Sequence, residues 1–356
     1  MSEDKRHAWR KRSRGVSMRL DKYSGNPILR PNPKNSWENL AVCNPGVWYE
    51  DGIFYMLYRA AGDDPTHPIF LGLATSTDGF HFERVSDQPV LSPRDDGPDG
   101  GCVEDPRIVK FGDTYYITYA YRPFRPGQYW KHRSEQVFPP GTSPEERRAI
   151  PEAPRLIKEN LTNTGLLMSK DLRTFYRLGR LTEPNVDNRD VILFPEKVRG
   201  KYVLLHRPME IPWGLEHPVM WVSFMDSLLD FNQGEVLAKN EYWWETKIGG
   251  SCPPLKTDAG WLTIYHGVCP EKVYRAGAML LDLEDPRKIL CRTPEPILEP
   301  EHDYEQKGVS ASCVFPCGNV IVDGKLFVYY GTADKYVAAA TCQVDELLDY
   351  LLANPF

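Results

Sequence analysis

EDPRIVKFGDTYYITYAY (104–121) decides the fold. Two acids and a proline lead into an apolar run, Gly112 marks a turn, and an aromatic-rich run follows. Short apolar runs on both sides of a turn glycine predict a β-hairpin. The same order returns in NPGVWYEDGIFYMLYRA (44–60), DVILFPEKVRGKYVLLHRP (190–208), GGSCPPLKTDAGWLTIYHGV (249–268) and CVFPCGNVIVDGKLFVYYGTAD (313–334). The other turn glycines are Gly52, Gly200, Gly260 and Gly324.

Each copy is followed by a small-residue strand, a polar turn and an aromatic or leucine. These stretches are LGLATSTDGFHF (71–82), TGLLMSKDLRTF (164–175), WVSFMDSLLDF (221–231), AGAMLLDLEDPRKI (276–289) and VAAATCQVDELLDY (337–350). Two hairpins make a four-stranded unit, and five such units arranged radially make an all-β, five-bladed β-propeller. The competing reading is a string of unrelated hairpins. Between the second and third units the spacing is longer. The excess, about residues 123–162, is rich in proline and charge, and SPEERRAI (143–150) reads as a short helix capped by Ser143 with Pro144 at its first position. So long a segment is expected to be a lid, a homo-oligomer contact or disorder. Residues 1–16 read as a basic polar arm, and 17–356 as one catalytic domain.

Composition narrows the function. A hydrophobic content of 41% argues against disorder, and a formal charge of −6 gives no nucleic-acid footprint. No stretch has the apolar length of a membrane span, and the basic N-terminus lacks the apolar core of a secretory signal. The eight cysteines then read as reduced thiols of a cytoplasmic protein. Cys313 and Cys317 have no second ligand pair at zinc-like spacing and read as core thiols, so no metal site is expected.

In a propeller the innermost strands line one channel, so polar residues far apart in sequence become neighbours. The five copies contribute Asn44 and Arg59; Glu104, Asp105 and Arg107; Arg189, Asp190, His206 and Arg207; Lys247 and His266; and Asp334. Asp105 is the most central carboxylate. Arg189, Arg207, Lys247 and His266 form a cationic group suited to a small anion such as phosphate. Glu104 alternates to the other strand face and is expected to anchor Arg107 or a backbone turn.

The motifs EDPRIVKFGDTYYITY, FPEKVRGKYVLLHRP, KIGGSCPPLKTDAGWLTIYHGV…YRAGAMLLDLEDP and FPCGNVIVDGKLFVYYGTAD resemble glycoside hydrolase family 130 over most of residues 20–352. The resemblance implies a five-bladed propeller and, for most members, β-mannoside phosphorylase activity; a minority are β-mannosidases. It implies Asp105 as general acid, protonating the scissile oxygen through the mannose 3-hydroxyl. It implies Arg189, Arg207, Lys247, His266 and Tyr274 as phosphate ligands, and Asn44, Arg59 and Asp334 as mannosyl ligands.

Elementary chemistry points the same way. An inverting hydrolase needs an acid and a base to activate water. Phosphate is already a nucleophilic anion and needs cations rather than a base. One placed aspartate with four cations is the phosphorylase pattern. The expected function is inverting phosphorolysis of a β-manno-oligosaccharide to α-mannose 1-phosphate, with inorganic phosphate as co-substrate and no cofactor. A β-mannosidase and a noncatalytic carbohydrate-binding propeller are the alternatives. Linkage and acceptor sugar stay open, because the 123–162 segment and TADKY (332–336) depart from the family pattern.

Overall fold

The computed structural model describes residues 18–356; the basic arm lies outside the described residues. The protein is all-β with few helices. After a short β1 (Asp21–Lys22), the strands run as successive antiparallel meanders. The first comprises β2 (Ala41–Glu50), β3 (Ile53–Ala61), β4 (Ile69–Ser76) and β5 (Glu83–Arg84); the second comprises β6 (Cys102–Phe111), β7 (Thr114–Arg122), β8 (Asn163–Ser169) and β9 (Tyr176–Arg180). Only the parallel pair Ile69–Cys102 joins them. The third is β10 (Asn188–Leu193), β11 (Tyr202–Pro208), β12 (Met220–Met225) and β13 (Glu235–Ala238). In the fourth, β14 (Lys247–Gly250) and β15 (Leu255–Thr257) both pair with β16 (Gly260–Val268), followed by β17 (Tyr274–Leu281) and β18 (Ile289–Arg292). The fifth is β19 (Val314–Val322), β20 (Lys325–Thr332) and β21 (Tyr336–Gln343).

The turn glycines do what the pattern asked of them. Asp51-Gly52, Arg199-Gly200 and Asp323-Gly324 have φ of 51° and 78°, 50° and 77°, and 50° and 76°. Two left-handed residues in succession are what a tight hairpin matched to strand twist requires. The expected fourth strand of the last unit is a correction. Residues 344–352 form a helix, α4 (Val344–Leu352), which buries Val344, Leu347 and Leu351. The place of the fourth strand is taken by β1, which pairs with β21. The 123–162 segment contains α1 (Pro144–Arg148), with Ser143 as the expected cap, and α2 (Arg155–Glu159). A further short helix, α3 (Asp303–Gln306), precedes β19.

The core lies between meanders, not within one. Val103 and Ile117 of the second pack against Leu57 and Leu71 of the first. Val109 and Leu166 meet Val191 and Leu204 of the third, and Ile192 and Leu205 meet Ile248 and Tyr265 of the fourth. Leu262 and Ala276 meet Val314 and Val328 of the fifth, and Val320 and Phe327 return to Val42 and Met56 of the first. First strands touch from the first meander to the fourth and from the fifth back to the first, while the fourth meets β19 through β16 and β17.

A recurrent clamp ties the outer strand of a meander to its second strand. Tyr58, Tyr119, Tyr265 and Tyr330 occupy the same place in β3, β7, β16 and β20. Their hydroxyls donate to Glu38, Asp99, Glu245 and Glu305 at 3.0, 3.2, 2.7 and 3.0 Å. The same acids accept from Arg84, Arg177, Arg292 and Lys22 on β5, β9, β18 and β1 at 2.9, 2.6, 2.8 and 2.8 Å. In β11 the position holds His206, which bonds Ser223 and the Gln233 carbonyl instead. The clamp explains the small residues of the third strands: a Cβ at Gly72 would sit 2.2 Å from the Tyr58 ring, and one at Gly165 would sit 2.4 Å from the Tyr119 ring.

The Glu245–Arg292 pair is fully buried. Removing one charge of a buried pair strands the other in a medium that solvates it poorly. Glu245→Gln is therefore expected to lower unfolding stability by about 3–5 kcal/mol, measured by denaturant titration against wild type. A loss under about 1 kcal/mol, the level of an exposed pair, would remove the clamp from the list of fold determinants.

Among the described residues no helix is long and apolar enough to cross a membrane.

Candidate active site

Along β3, β7, β11, β16 and β20 the residue after each clamp position points the other way, since strand side chains alternate. These residues are Arg59, Ala120, Arg207, His266 and Gly331. Arg59, Ala120 and Arg207 line a cavity of about 470 Å³, which also receives Asn44, Glu104, Asp105, Arg107, Asp190 and Asp334. That size is within the range of small-molecule sites.

Bulges in the first strands aim the carboxylates. Pairing slips between Cys43 and Gly46, between Glu104 and Arg107, and between Arg189 and Ile192. At the slip sit Asn44, Asp105 and Asp190, with φ of 47°, 53° and 54°. Asn and Asp tolerate this left-handed conformation better than other side chains with a Cβ, and bulges re-aim side chains next to active sites. The bulge also overturns the expectation for Glu104. It interrupts strand alternation, so Glu104 and Asp105 line the same cavity. Nor does Glu104 anchor Arg107. Its Oε2 lies 3.2 Å from Arg59 Nη1, whereas Arg107 donates to the Asp105 and Ser251 carbonyls.

Around Asp105, Asn44 Nδ2 donates to Oδ1 at 2.8 Å, and Arg59 Nη1 lies 3.5 Å from the same oxygen. Two of the three side chains implied as mannosyl ligands, Asn44 and Arg59, thus also hold Asp105. Burial pushes the Asp105 pKa above the ordinary carboxylate value; Arg59 opposes the rise and the charge of Glu104 adds to it. Burial likewise raises Asp334, against Arg59.

The cations gather on the third and fourth meanders. Arg189 forks onto Asp187 with two 2.7 Å bonds. Arg207 Nε donates to Asp190 Oδ2 at 2.7 Å, and its Nη2 lies 2.7 Å from the same oxygen as an ion pair. Burial would raise Asp190, but Arg207, together with His266 and Arg107, outweighs it and holds Asp190 below the usual carboxylate range. Among the described residues Lys247 Nζ has no carboxylate within ion-pair distance; it donates to the Tyr274 hydroxyl at 3.2 Å. Burial, reinforced by Arg207, lowers Lys247 to about 8. Burial raises Tyr274 to about 12, so its hydroxyl stays protonated at neutral pH.

His266 departs from the expected cation set. It is fully buried beneath the cavity lining, with Nδ1 3.2 Å from Ser251 Oγ and Nε2 3.6 Å from Asp190 Oδ2. Burial drops its pKa to about 3, so it is neutral at physiological pH. Three cations, Arg189, Arg207 and Lys247, face the cavity, and the fourth residue read as a cation lies behind them as a neutral imidazole.

The structure also brings in Arg122, Phe315, Cys313, and Pro126, Tyr129 and Thr162 of the long segment, none of which was assigned to the site from sequence. Cys313 and Cys317 are both buried, as expected of core thiols, and Cys313 also borders the cavity. Asp190 had a legible signal: it occupies the repeat position of Asn44 and Asp105, one residue after the partner of the second-strand cavity residue. Tyr129 had none, because its segment belongs to no repeat.

Comparison with known proteins agrees with this geometry. The sequence profile of glycoside hydrolase family 130, described as beta-1,4-mannooligosaccharide phosphorylase, matches residues 9–137 and 158–353. The chain is 36% identical to a 1,2-beta-oligomannan phosphorylase of Thermoanaerobacter sp. (strain X514), covering 93% of this chain and 99% of that one. It is 28% identical to a beta-1,4-mannooligosaccharide phosphorylase of Ruminococcus albus, covering 94% and 91%. Among solved structures, the beta-1,2-mannobiose phosphorylase of Listeria innocua in complex with beta-1,2-mannobiose superposes with a TM-score of 0.76 at 26% identity, covering 95% of this chain and all of that one. With the profile spanning nearly all of its length, this chain belongs to glycoside hydrolase family 130.

Proposed function

We propose that the protein is an inverting β-mannoside phosphorylase. The observation that carries this reading is the single cavity with an acid of raised pKa at one end and Arg189, Arg207, Lys247 and Tyr274 at the other. Phosphate bound by the cations attacks the anomeric carbon from the face opposite the leaving group. The β-glycosidic bond breaks, and the leaving oxygen takes a proton supplied by Asp105, through the mannose 3-hydroxyl as the family resemblance implies. The products are α-mannose 1-phosphate and the shortened acceptor. Paired guanidiniums are fixed before phosphate arrives, which lowers the ordering cost of binding a dianion. His266, neutral and 3.6 Å from Asp190, adds no charge to the anion site.

The linkage we assign is β-1,2. Relatives named for β-1,2 substrates are 36%, 35% and 32% identical, against 28% for the one named for β-1,4-mannooligosaccharides. The meanders read as the blades of a five-bladed propeller forming one catalytic domain, supported by the cyclic packing of their cores. The 123–162 segment is an insertion in the second blade that shapes the acceptor end, supported by Tyr129 and Pro126 on the cavity wall. No cofactor is assigned. Eight free, buried thiols support a reducing compartment.

The decisive experiment incubates the protein with β-1,2- and β-1,4-manno-disaccharides, with and without phosphate. Phosphate-dependent release of α-mannose 1-phosphate, faster from the β-1,2 substrate, is expected. Free mannose released equally fast without phosphate would make the protein a β-mannosidase.

A further inference from the structure

Glu104 has no part in the chemistry above, yet it is 9% exposed and stands in the reaction cavity. Its Oε2 lies 3.2 Å from Arg59 Nη1, and that same nitrogen lies 3.5 Å from Asp105 Oδ1. One guanidinium nitrogen therefore faces two carboxylates. The second Glu104 oxygen accepts from the Cys102 thiol at 3.5 Å.

Resting on the phosphorylase reading, we propose that Glu104 is a positioning residue that keeps Asp105 in its acid form by occupying Arg59. An arginine held against a single carboxylate favours the ionised state, which cannot donate a proton. Glu104 takes the nearer position at that arginine, and its own negative charge makes ionisation of its neighbour costlier. The two carboxylates are driven apart. Burial would raise Glu104, but Arg59 and Arg122 outweigh it and hold Glu104 ionised. Burial raises Asp105, and here Arg59 does not overcome it. Separation of two neighbouring carboxyl groups in this way is how a site keeps one of them as an acid near neutral pH.

The other charged groups nearby leave this balance standing. Arg107, on the same strand, turns its Nη1 to the Asp105 backbone carbonyl at 2.7 Å; its charge and the Asn44 bond both favour ionised Asp105, but with Arg59 they do not overcome burial and the charge of Glu104. Arg122 on β7 and Arg189 on β10 act on Glu104 and favour its charge. Asp334 faces Glu104 and Arg59 and is itself raised. The thiols of Cys43, Cys313 and Cys317 sense Asp105 but are pushed well above their ordinary range by burial and stay un-ionised.

The test compares kcat against pH for phosphorolysis of a β-manno-disaccharide by wild type, Glu104→Gln and Glu104→Asp. Glu104→Gln keeps the volume and removes the charge. Its alkaline limb should move to lower pH by about one unit, giving roughly tenfold lower kcat above the limb and little change on the acid side. An aryl β-mannoside whose phenol leaves without protonation should show no displacement. Glu104→Asp keeps the charge and should keep the wild-type limb. A uniform loss across pH in Glu104→Gln, with the limb unmoved, would overturn the proposal. So would a displaced limb in Glu104→Asp, a result that decides the matter even if Glu104→Gln fails to fold. Asp105→Asn is the control for the underlying reading. If it stays active, the assignment of the acid fails, whatever Glu104 does.

Discussion

Asp105→Asn is expected to abolish turnover with the fold intact. The replacement keeps the volume of the side chain, and asparagine tolerates the left-handed backbone at this bulge, where φ is 53°. Its amide oxygen can still accept from Asn44 Nδ2, which now donates to Oδ1 at 2.8 Å. What is lost is the proton. General acid catalysis contributes about 10²–10⁴-fold, so kcat should fall by at least that factor on substrates with a poor leaving group. The measurement is phosphorolysis of a β-manno-disaccharide alongside a thermal unfolding midpoint. Activity within about tenfold of wild type, in a variant that unfolds at the wild-type temperature, would remove Asp105 from the role of acid.

Arg207→Ala is expected to raise the Michaelis constant for phosphate by one to two orders of magnitude. Charge-assisted bonds contribute about 1.5–3 kcal/mol each, and about 1.4 kcal/mol is tenfold in affinity. The structure adds a second cost. Arg207 neutralises Asp190, whose side chain is 6% exposed, so the alanine leaves a carboxylate facing the incoming phosphate. Two-substrate kinetics with phosphate and disaccharide varied independently separate the effects: the constant for the mannoside should change far less. Adding Asp190→Asn to Arg207→Ala should recover part of the lost phosphate affinity, because the repulsive charge is gone. An unchanged phosphate constant in Arg207→Ala would place the phosphate elsewhere in the cavity.

Much of this protein is written locally in its chain. A glycine between two apolar runs sets each hairpin, and the two-residue turns at Gly52, Gly200 and Gly324 have the left-handed geometry that glycine makes cheap. The repeat of that pattern announces an all-β chain of matched units, and Ser143 with Pro144 announces a helix start. The position of Asp105 in its repeat, with Arg207 at the end of β11 and Lys247 at the start of β14, is where the sequence reading put the proposed acid and anion site, and all three line one cavity.

The rest needed the folded chain. Strand alternation assigned Glu104 away from Asp105, and a bulge put them together; a bulge is set by pairing with β7, which no property of the four residues EDPR specifies. His266 is a cation by residue type and neutral by burial, since protonation depends on how much water and which charges surround a ring. Closure of the last meander by β1 joins segments more than three hundred residues apart, in the pairs Asp21–Thr341 and Lys22–Ala340. Local propensity made 344–350 look like an outer strand, but the edge of β21 was already filled, so α4 covers the core instead. Short-range pattern fixes the elements and the residue types they carry. Partner choice, register slips and the charge of buried groups are set by tertiary contacts, which is why the final chemistry of this cavity was decided there.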